Sequence, residues 1–346
     1  LSLEKITIKT PGAESEILIG TQWQSVDELV PSTGTVIITD DNVRKLYGDR
    51  FPDFPVLSVS PGEESKSLSV IAGLAEQLLE MGIDRNGFIL AIGGGVVSDL
   101  AGFLASVYLR GIRCGYISSS LLSQVDASTG GKNGVNHGGI KNILGIIRQP
   151  EFVLCDTSML STLSDDEYLS GLSEMIKTAI IGDRELFRLI ESNQAQILAR
   201  DQELLTTLVA MSVRFKAAVV TEDERETGIR RILNFGHTFG HAIEMRTGFM
   251  HGFAVASGME LATYFSLEKG LITADEKDTI VDLLGRYGLL RKYEISSSEI
   301  GSLVVNDKKK SGAAIHFIFT GGIGRAVTER IPIAEAVDFY KRFRAK

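Results

Sequence analysis

Along the first 155 or so residues, short apolar runs alternate with stretches whose apolar residues recur every three or four positions. The runs GTVIITD (34–40), FPVLSVS (54–60), GFILAIGG (87–94), CGYISSS (114–120) and FVLCD (152–156) read as strands, bounded by turn residues. LSVIAGLAEQLLEMG (68–82) and VVSDLAGFLASVYLRG (96–111) carry the helical period between them. Strand and helix in alternation predict βαβ units and a parallel, doubly wound sheet. After about residue 157 the pattern becomes nearly all helical: SDDEYLSGLSEMIKTAII, DRELFRLIESNQAQILARDQELLTTLVAMSVRFKAAVV and GFAVASGMELATYFSLEKG are its clearest pieces. Ser164 and Glu167 have capping-box spacing at the start of the first. Only AAIHFIFTGGIGRAVTERI alternates as a hairpin would. The expectation is an α/β domain over 1–156 and an all-α domain over 157–346.

Composition narrows the functional classes. A chain of 346 residues with 44% hydrophobic and 23% charged residues has enough apolar surface to fold along its whole length. Lys and Arg total 36 against 44 Asp and Glu, a net charge of −8, so most of the surface repels nucleic-acid phosphates and anionic lipid. Neither partner is expected. No unbroken apolar stretch approaches the roughly 20 residues of a membrane helix, and LSLEKITIKT lacks the basic-then-apolar order of a secretion signal. Cys114 and Cys155 sit in apolar runs where a buried thiol is natural. A reducing, cytoplasmic setting is expected. Glycine is in excess at 36 residues, clustered between positions 93 and 145, as tight turns around a ligand require.

Three groups of residues could carry chemistry. Gly93, Gly94 and Gly95 follow a strand and open a helix, where backbone N–H groups can approach a pyrophosphate, although a simple turn explains them equally well. Asp40, at another strand end, can accept from a ribose or merely cap the next helix. Of only five histidines, His237, His241 and His251 fall close together. His237 and His241 are four apart, a spacing that suits Zn²⁺ on one helix face, with Glu174 of GLSEMIK as a candidate third ligand if the fold brings it alongside. The third group is cationic: Lys132 and Lys141 in GGKNGVNHGGIKN, Lys177, Lys216, Arg230 and the 308–310 lysines. Lysines in Gly-rich turns of an acidic protein suggest a small, multiply anionic ligand, and Asn133, Asn136 and Asn142 add amide donors. For the DKKK run taken by itself, solubility is the simpler account.

GGGVVSDLAGF, SSSLLSQVDASTGGKNGVN, GLSEMIK, DERETGIRRILNFGHTFGHAIE and HGFAVASGM, in this order, resemble the 3-dehydroquinate synthase family of the sugar-phosphate cyclase superfamily. The resemblance runs from about residue 35 to 325. It implies a Rossmann-like domain binding NAD, a helical domain holding a divalent metal (Zn or Co), and a homodimer. It places the metal ligands at Glu174, His237 and His251, and moves His241 to the substrate site. Cofactor contacts fall on Asp40, Asn42, Glu63 and Lys66, then Gly94, Gly95, Asp99, Ser119 and Ser120, with Asp126, Lys132, Lys141, Thr162 and Glu167 completing them. Asp126 and Lys132 are shared with the substrate, whose other contacts are Asn142, Lys177, Lys216, Arg230, Asn234, His241 and Lys308, with Arg110 reaching in from the second subunit.

The implied reaction converts 3-deoxy-D-arabino-heptulosonate 7-phosphate to 3-dehydroquinate and phosphate, a step of the shikimate pathway to aromatic amino acids. Transient oxidation by NAD acidifies the neighbouring carbon, phosphate leaves, the ketone is reduced again, and an aldol step closes the ring. Sibling cyclases act on sugar phosphates lacking a carboxylate. Arg230 with Asn234 argues for the carboxylated substrate. A metal-dependent NAD glycerol or alcohol dehydrogenase is the other alternative, against which Lys132, Lys141 and Asn142 speak. A catalytically silent relative is argued against by the intact metal, cation and glycine sets. Two positions depart from the usual family pattern: Ser118 stands where many members have proline, and Phe253 where many have an acid after the last metal histidine. Loss of that carboxylate is expected to weaken the metal.

Overall fold

The structure, a computed structural model, describes residues 3–307 and 314–345. The chain divides into two compact units, Leu1–Ser164 with Arg200–Arg225, and Asp165–Ala199 with Glu226–Lys346. The single boundary expected at 156/157 is thus corrected. The first unit extends eight residues further, and a later helix, Gln202–Glu222, returns to it by packing on its first two strands.

In the first unit β1 (Glu4–Thr10) and β2 (Ala13–Ile19) form an antiparallel hairpin, followed by β3 (Thr35–Asp40), β4 (Val56–Val59), β5 (Phe88–Gly93) and β6 (Arg113–Ser118). A separate hairpin of β7 (Lys132–His137) and β8 (Ile140–Ile147) precedes β9 (Phe152–Cys155). The seven-stranded sheet has the order β1-β2-β9-β6-β5-β3-β4, and every pairing except β1 with β2 is parallel. β5 is buried at all its residues, as a strand covered on both faces must be. Around it Trp23, Ile37, Leu90, Ile117 and Leu154 share one core.

From β3 the chain passes outward to β4, then jumps back over β3 to β5 and continues the other way. That reversal is a topological switch point, where ligands of open α/β sheets bind beyond the strands' carboxyl ends. Asp40 ends β3, and Gly94 follows β5 as the N-cap of the helix Gly95–Val107. Cys114 and Cys155 are buried in β6 and β9 as expected, and burial pushes their thiols up to about 11 and about 12.

The second unit contains the helices Asp165–Gly182, Arg184–Ser192, Gln194–Leu198, His237–Thr247, His251–Glu268, Ala274–Arg286, Ser297–Asp307 and Ile333–Arg344. Beside them lies a two-stranded antiparallel ribbon, β10 (Ala314–Thr320) with β11 (Ala326–Pro332), where hairpin alternation is legible. Aromatic rings knit ribbon to helices: Phe265 stacks on Phe339 at 4.3 Å and meets Phe317 edge-on at 5.3 Å. The first helix starts at Asp165, where the Ser164 spacing puts it. A capping box with both hydrogen bonds is found at Thr273 and Glu276.

Candidate functional site

Three helices of the second unit carry Glu174, His237 and His251, and they can meet because two of their crossings run over glycine. A Cβ on Gly252 would lie 2.2 Å from the Ser170 carbonyl oxygen, and one on Gly258 would lie 2.0 Å from that of Gly236. With only hydrogens there, the His251–Glu268 helix lies directly against Asp165–Gly182 on one side and His237–Thr247 on the other. The Gly252 N–H donates to Ser170 Oγ at 3.0 Å, which fixes the first crossing one turn before Glu174.

The Glu174 side chain is buried, with Oε1 3.3 Å from His251 Nε2 and 3.8 Å from His237 Nε2. One ligand atom from each of the three lies within 4.8 Å of the others. Tetrahedral bonds of about 2.1 Å place neighbouring ligand atoms roughly 3.4 Å apart, so the spacing suits a single Zn²⁺-like ion. Each imidazole also has its other nitrogen occupied, His237 Nδ1 by the Phe235 carbonyl and His251 Nδ1 by Glu244 Oε2, both at 3.2 Å. Such partners fix the tautomer that turns the Nε2 lone pair toward the common point. Glu244 thus supplies a carboxylate partner to His251 where Phe253 does not. Phe253 is buried, with the Arg291 guanidinium over its ring.

Electrostatics follow from crowding ionisable groups in a dry space. Burial works against the charge of Glu174, but Lys177, His251 and His237 outweigh it and hold its carboxyl well below the ordinary range. The Lys177 side chain is buried and ion-paired to Glu174 one turn away. Burial and Lys177 keep His237 well below its usual value. Burial opposes charge on His251 too, yet without a metal ion Glu174 and Glu244 raise it to about 10, so a cation bound there would take the place of the Nε2 proton.

Beside the triad is a cavity of about 250 Å³, lined by Glu226, Asn234, His237 and His241 among others. The His241 ring stands edge-on to His237 at 5.2 Å. The helix therefore places the tempting i+4 histidine at the cavity wall, while Glu174 and His251 complete the triad. Asn234 donates to Glu226, a residue held at φ 59, and Arg230 is buried in the turn Ile229–Asn234. Glu226 and Glu244 are the residues that sequence reasoning misses. Glu167 lies in the first turn of Asp165–Gly182. Lys308 lies outside the described residues.

In the first unit, Asp40 does cap its helix, accepting from the Asn42 and Val43 N–H groups at 2.9 and 3.0 Å through Oδ1. The Gly95–Val107 helix has no capping side chain, so its first-turn amides face the switch point. A Cβ on Gly94 would crowd Ser120 Oγ at 3.2 Å, and the Ser119 N–H donates to the Gly93 carbonyl. Lys66, buried, donates to both Asp99 and Asn142, joining two of the expected cofactor contacts to one expected substrate contact. Lys216 likewise reaches the carboxylate and carbonyl of Asp126. Thr162 Oγ1 is 2.6 Å from the Tyr47 hydroxyl. Arg110 follows Leu109 in left-handed backbone, φ 68 after φ 49, a strained presentation of an exposed side chain.

The glycine-rich segment forms the β7–β8 hairpin. Lys132 opens β7 opposite Ile147 while Lys141 stands near the turn, so they lie at opposite ends of the ribbon and share no single turn. The Asn133 amide is used internally, Nδ2 donating to the Gly131 and Arg148 carbonyls and Oδ1 accepting from the Tyr116 hydroxyl.

Known proteins show what the chain is similar to. Residues 56–170 match the family described as 3-dehydroquinate synthase N-terminal, and residues 171–310 the one described as 3-dehydroquinate synthase C-terminal. The chain is 38% identical to the 3-dehydroquinate synthase of Dehalococcoides mccartyi, over 94% of this chain and 95% of that protein. It is 40% identical to that of Solibacter usitatus over 87% of each. Its fold matches the 2-epi-5-epi-valiolone synthase of Streptomyces hygroscopicus subsp. jinggangensis, solved with NAD⁺ and Zn²⁺ bound, at a TM-score of 0.89 and 24% identity, over 97% of this chain and 98% of that one. Both halves of the family pattern are present, and curated relatives match nearly end to end: the chain belongs to the 3-dehydroquinate synthase family.

Proposed function

We propose that the chain is a 3-dehydroquinate synthase, an NAD- and metal-dependent carbon–oxygen lyase that converts 3-deoxy-D-arabino-heptulosonate 7-phosphate to 3-dehydroquinate and phosphate. The observation that carries this reading is the convergence of Glu174, His237 and His251 beside a cavity lined by Asn234 and His241, in a chain of this family. Zinc or cobalt would be held by those three side chains. NAD would lie at the switch point, on the uncapped glycine helix, with Asp40, Glu63, Lys66 and Asp99 around it. Bound there, the ion supplies Lewis acidity toward substrate hydroxyls, and the dinucleotide a reversible hydride acceptor.

The chain's own residues do the rest. Arg230 offers a buried guanidinium to the substrate carboxylate, a pairing that carboxylate-free sugars cannot make. His241 and Asn234 orient hydroxyl groups from the cavity wall, and Lys177 and Lys216 add positive charge. Lys132, Asn142 and, from a second subunit, Arg110 hold the phosphate, which on leaving takes up a proton itself. A homodimer is supported by the exposed Ile140, Ile143, Ile146 and Ile147 along β8, an apolar strip that water alone does not favour. A cytoplasmic setting is supported by the two buried, unpaired cysteines. The net charge of −8 supports a small anionic substrate held at local cations rather than nucleic acid or membrane.

Zinc-loaded protein supplied with each sugar phosphate tests the reading. The expected result is phosphate release from the carboxylated substrate alone, abolished by chelator, with no net NADH. Turnover only of carboxylate-free sugars identifies a sibling cyclase, and stoichiometric NADH a dehydrogenase.

A further inference from the structure

The β7–β8 hairpin turns on Gly138 and Gly139, both at positive φ, and then loses its register. Val135 pairs with Leu144 and His137 with Ile140, so the single residue Asn136 faces the three residues 141–143. A bulge of this kind re-aims side chains, and here it presents Asn142 in left-handed backbone at φ 52. Asn136 holds the bulge by a hydrogen bond from the Asn142 N–H to its Oδ1 at 2.8 Å.

The other end of the same amide faces elsewhere. Asn136 Nδ2 donates to Glu63 Oε1 at 2.9 Å and to the Glu63 carbonyl at 3.3 Å. Its backbone N–H donates to the Lys66 carbonyl at 2.7 Å, and Ser67 bridges to it in parallel. The segment 63–67, which carries Glu63 and Lys66, is thereby tied to the hairpin through one residue. Lys66 closes the loop by donating to Asn142 Oδ1 and Asp99 Oδ2. The Asn136 side chain is therefore not a donor to an oxyanion, as the sequence suggests. Both its polar atoms are committed within the protein.

We propose that Asn136 is a positioning residue whose Nδ2 sets the dinucleotide-contacting Glu63 and whose Oδ1 sets the phosphate-contacting Asn142, so that the two ligands are held in one register. The proposal rests on the reading of function above, which supplies the two ligands. Its two halves are chemically separable. Asn136→Asp keeps an acceptor for the Asn142 N–H but sets a carboxylate against Glu63, whereas Asn136→Ala removes both contacts.

The test titrates NAD⁺ by calorimetry and measures the substrate KM at saturating NAD⁺, using zinc-loaded wild type and variants with melting curves alongside. Asn136→Asp is expected to weaken NAD⁺ about tenfold with KM changed less than about threefold, and Asn136→Ala to raise both about tenfold. Adding Glu63→Gln to Asn136→Asp restores a donor–acceptor pair. That double variant is expected to bind NAD⁺ more tightly than Asn136→Asp alone, a readout available even if the alanine variant does not fold. Lowered melting temperatures with both constants within twofold of wild type overturn the proposal, as do effects of Asn136→Asp and Glu63→Gln on NAD⁺ binding that simply add in the double variant. If wild type itself binds no NAD⁺, the reading of function falls and the proposal with it.

Discussion

Asp99 is buried beside Lys66, and burial outweighs the pull of that ammonium in raising its carboxyl to about 6. Between about pH 4 and 6 the folded chain keeps a proton there that the unfolded chain has released. Stability from this group is thus complete below its unfolded value and is lost as pH rises through 6. Only 17% of the side chain is exposed, so solvent screening removes little of the effect. Relative to wild type, Asp99→Asn should gain about 2–3 kcal/mol in unfolding free energy between pH 4 and pH 7. Denaturant unfolding at the two pH values measures it, and a difference that stays flat contradicts the burial argument. At this scale the sequence is only partly legible. Histidine rarity draws attention to 237–251 and a carboxylate such as Glu174 is a candidate third ligand, but spacing alone favours His241, and only the family resemblance replaces it with His251. Glu244 and Glu226 give no signal of their own. In sequence each is one more charge on a helix or turn, and what singles them out is the partner folding brings: the Nδ1 of His251 and the amide of Asn234.

Among the elements, helix crossings decide whether the triad exists. A methyl group at Gly252 would press on the backbone oxygen of Ser170, which cannot move aside as a side chain can, so the two helices must separate. Gly252→Ala should cost about 1–3 kcal/mol by overpacking and draw His251 away from Glu174, lowering bound zinc. Gly285, in the helix Ala274–Arg286, has nothing within 4 Å of a built Cβ, so Gly285→Ala should stabilise by about 0.5–1 kcal/mol and leave zinc unchanged. Thermal melts with elemental analysis separate the two, and equal effects would show that the crossing is not tight. The strands β3, β5, β6 and β9 are legible because both their faces are covered, and the edge strand β4 because it is β-branched between turn residues. The β1–β2 hairpin is not, since its first strand is mostly half-exposed and alternates with charge. Nor does local pattern show that Gln202–Glu222 leaves its neighbours for the first unit. It is long and apolar enough to cross a membrane by composition, yet it carries Arg214 and Lys216, ion-paired to Glu4 and Asp126, and is largely buried.

At the scale of the whole molecule, the proposed dimer, in which Arg110 would cross to the other subunit's site, makes a prediction no single-chain enzyme shares. On that proposal Arg110→Ala would spoil the neighbour's site and Lys132→Met its own, so each variant alone should be nearly inactive. Mixed in equal amounts and allowed to exchange subunits, half the dimers become hybrids. In a hybrid, the chain with an intact Lys132 receives an intact Arg110 from its neighbour, while the other site lacks both. One site in two is restored in half the dimers, so the mixture should recover about a quarter of wild-type activity. If Arg110 instead served its own subunit, every site in the hybrid would still lack one cation and mixing would restore nothing. The left-handed backbone at Leu109 and Arg110 bears on the choice. Strained backbone clusters at functional sites, and recovery on mixing, measured as phosphate release after exchange, would identify the work of the exposed guanidinium as the neighbour's.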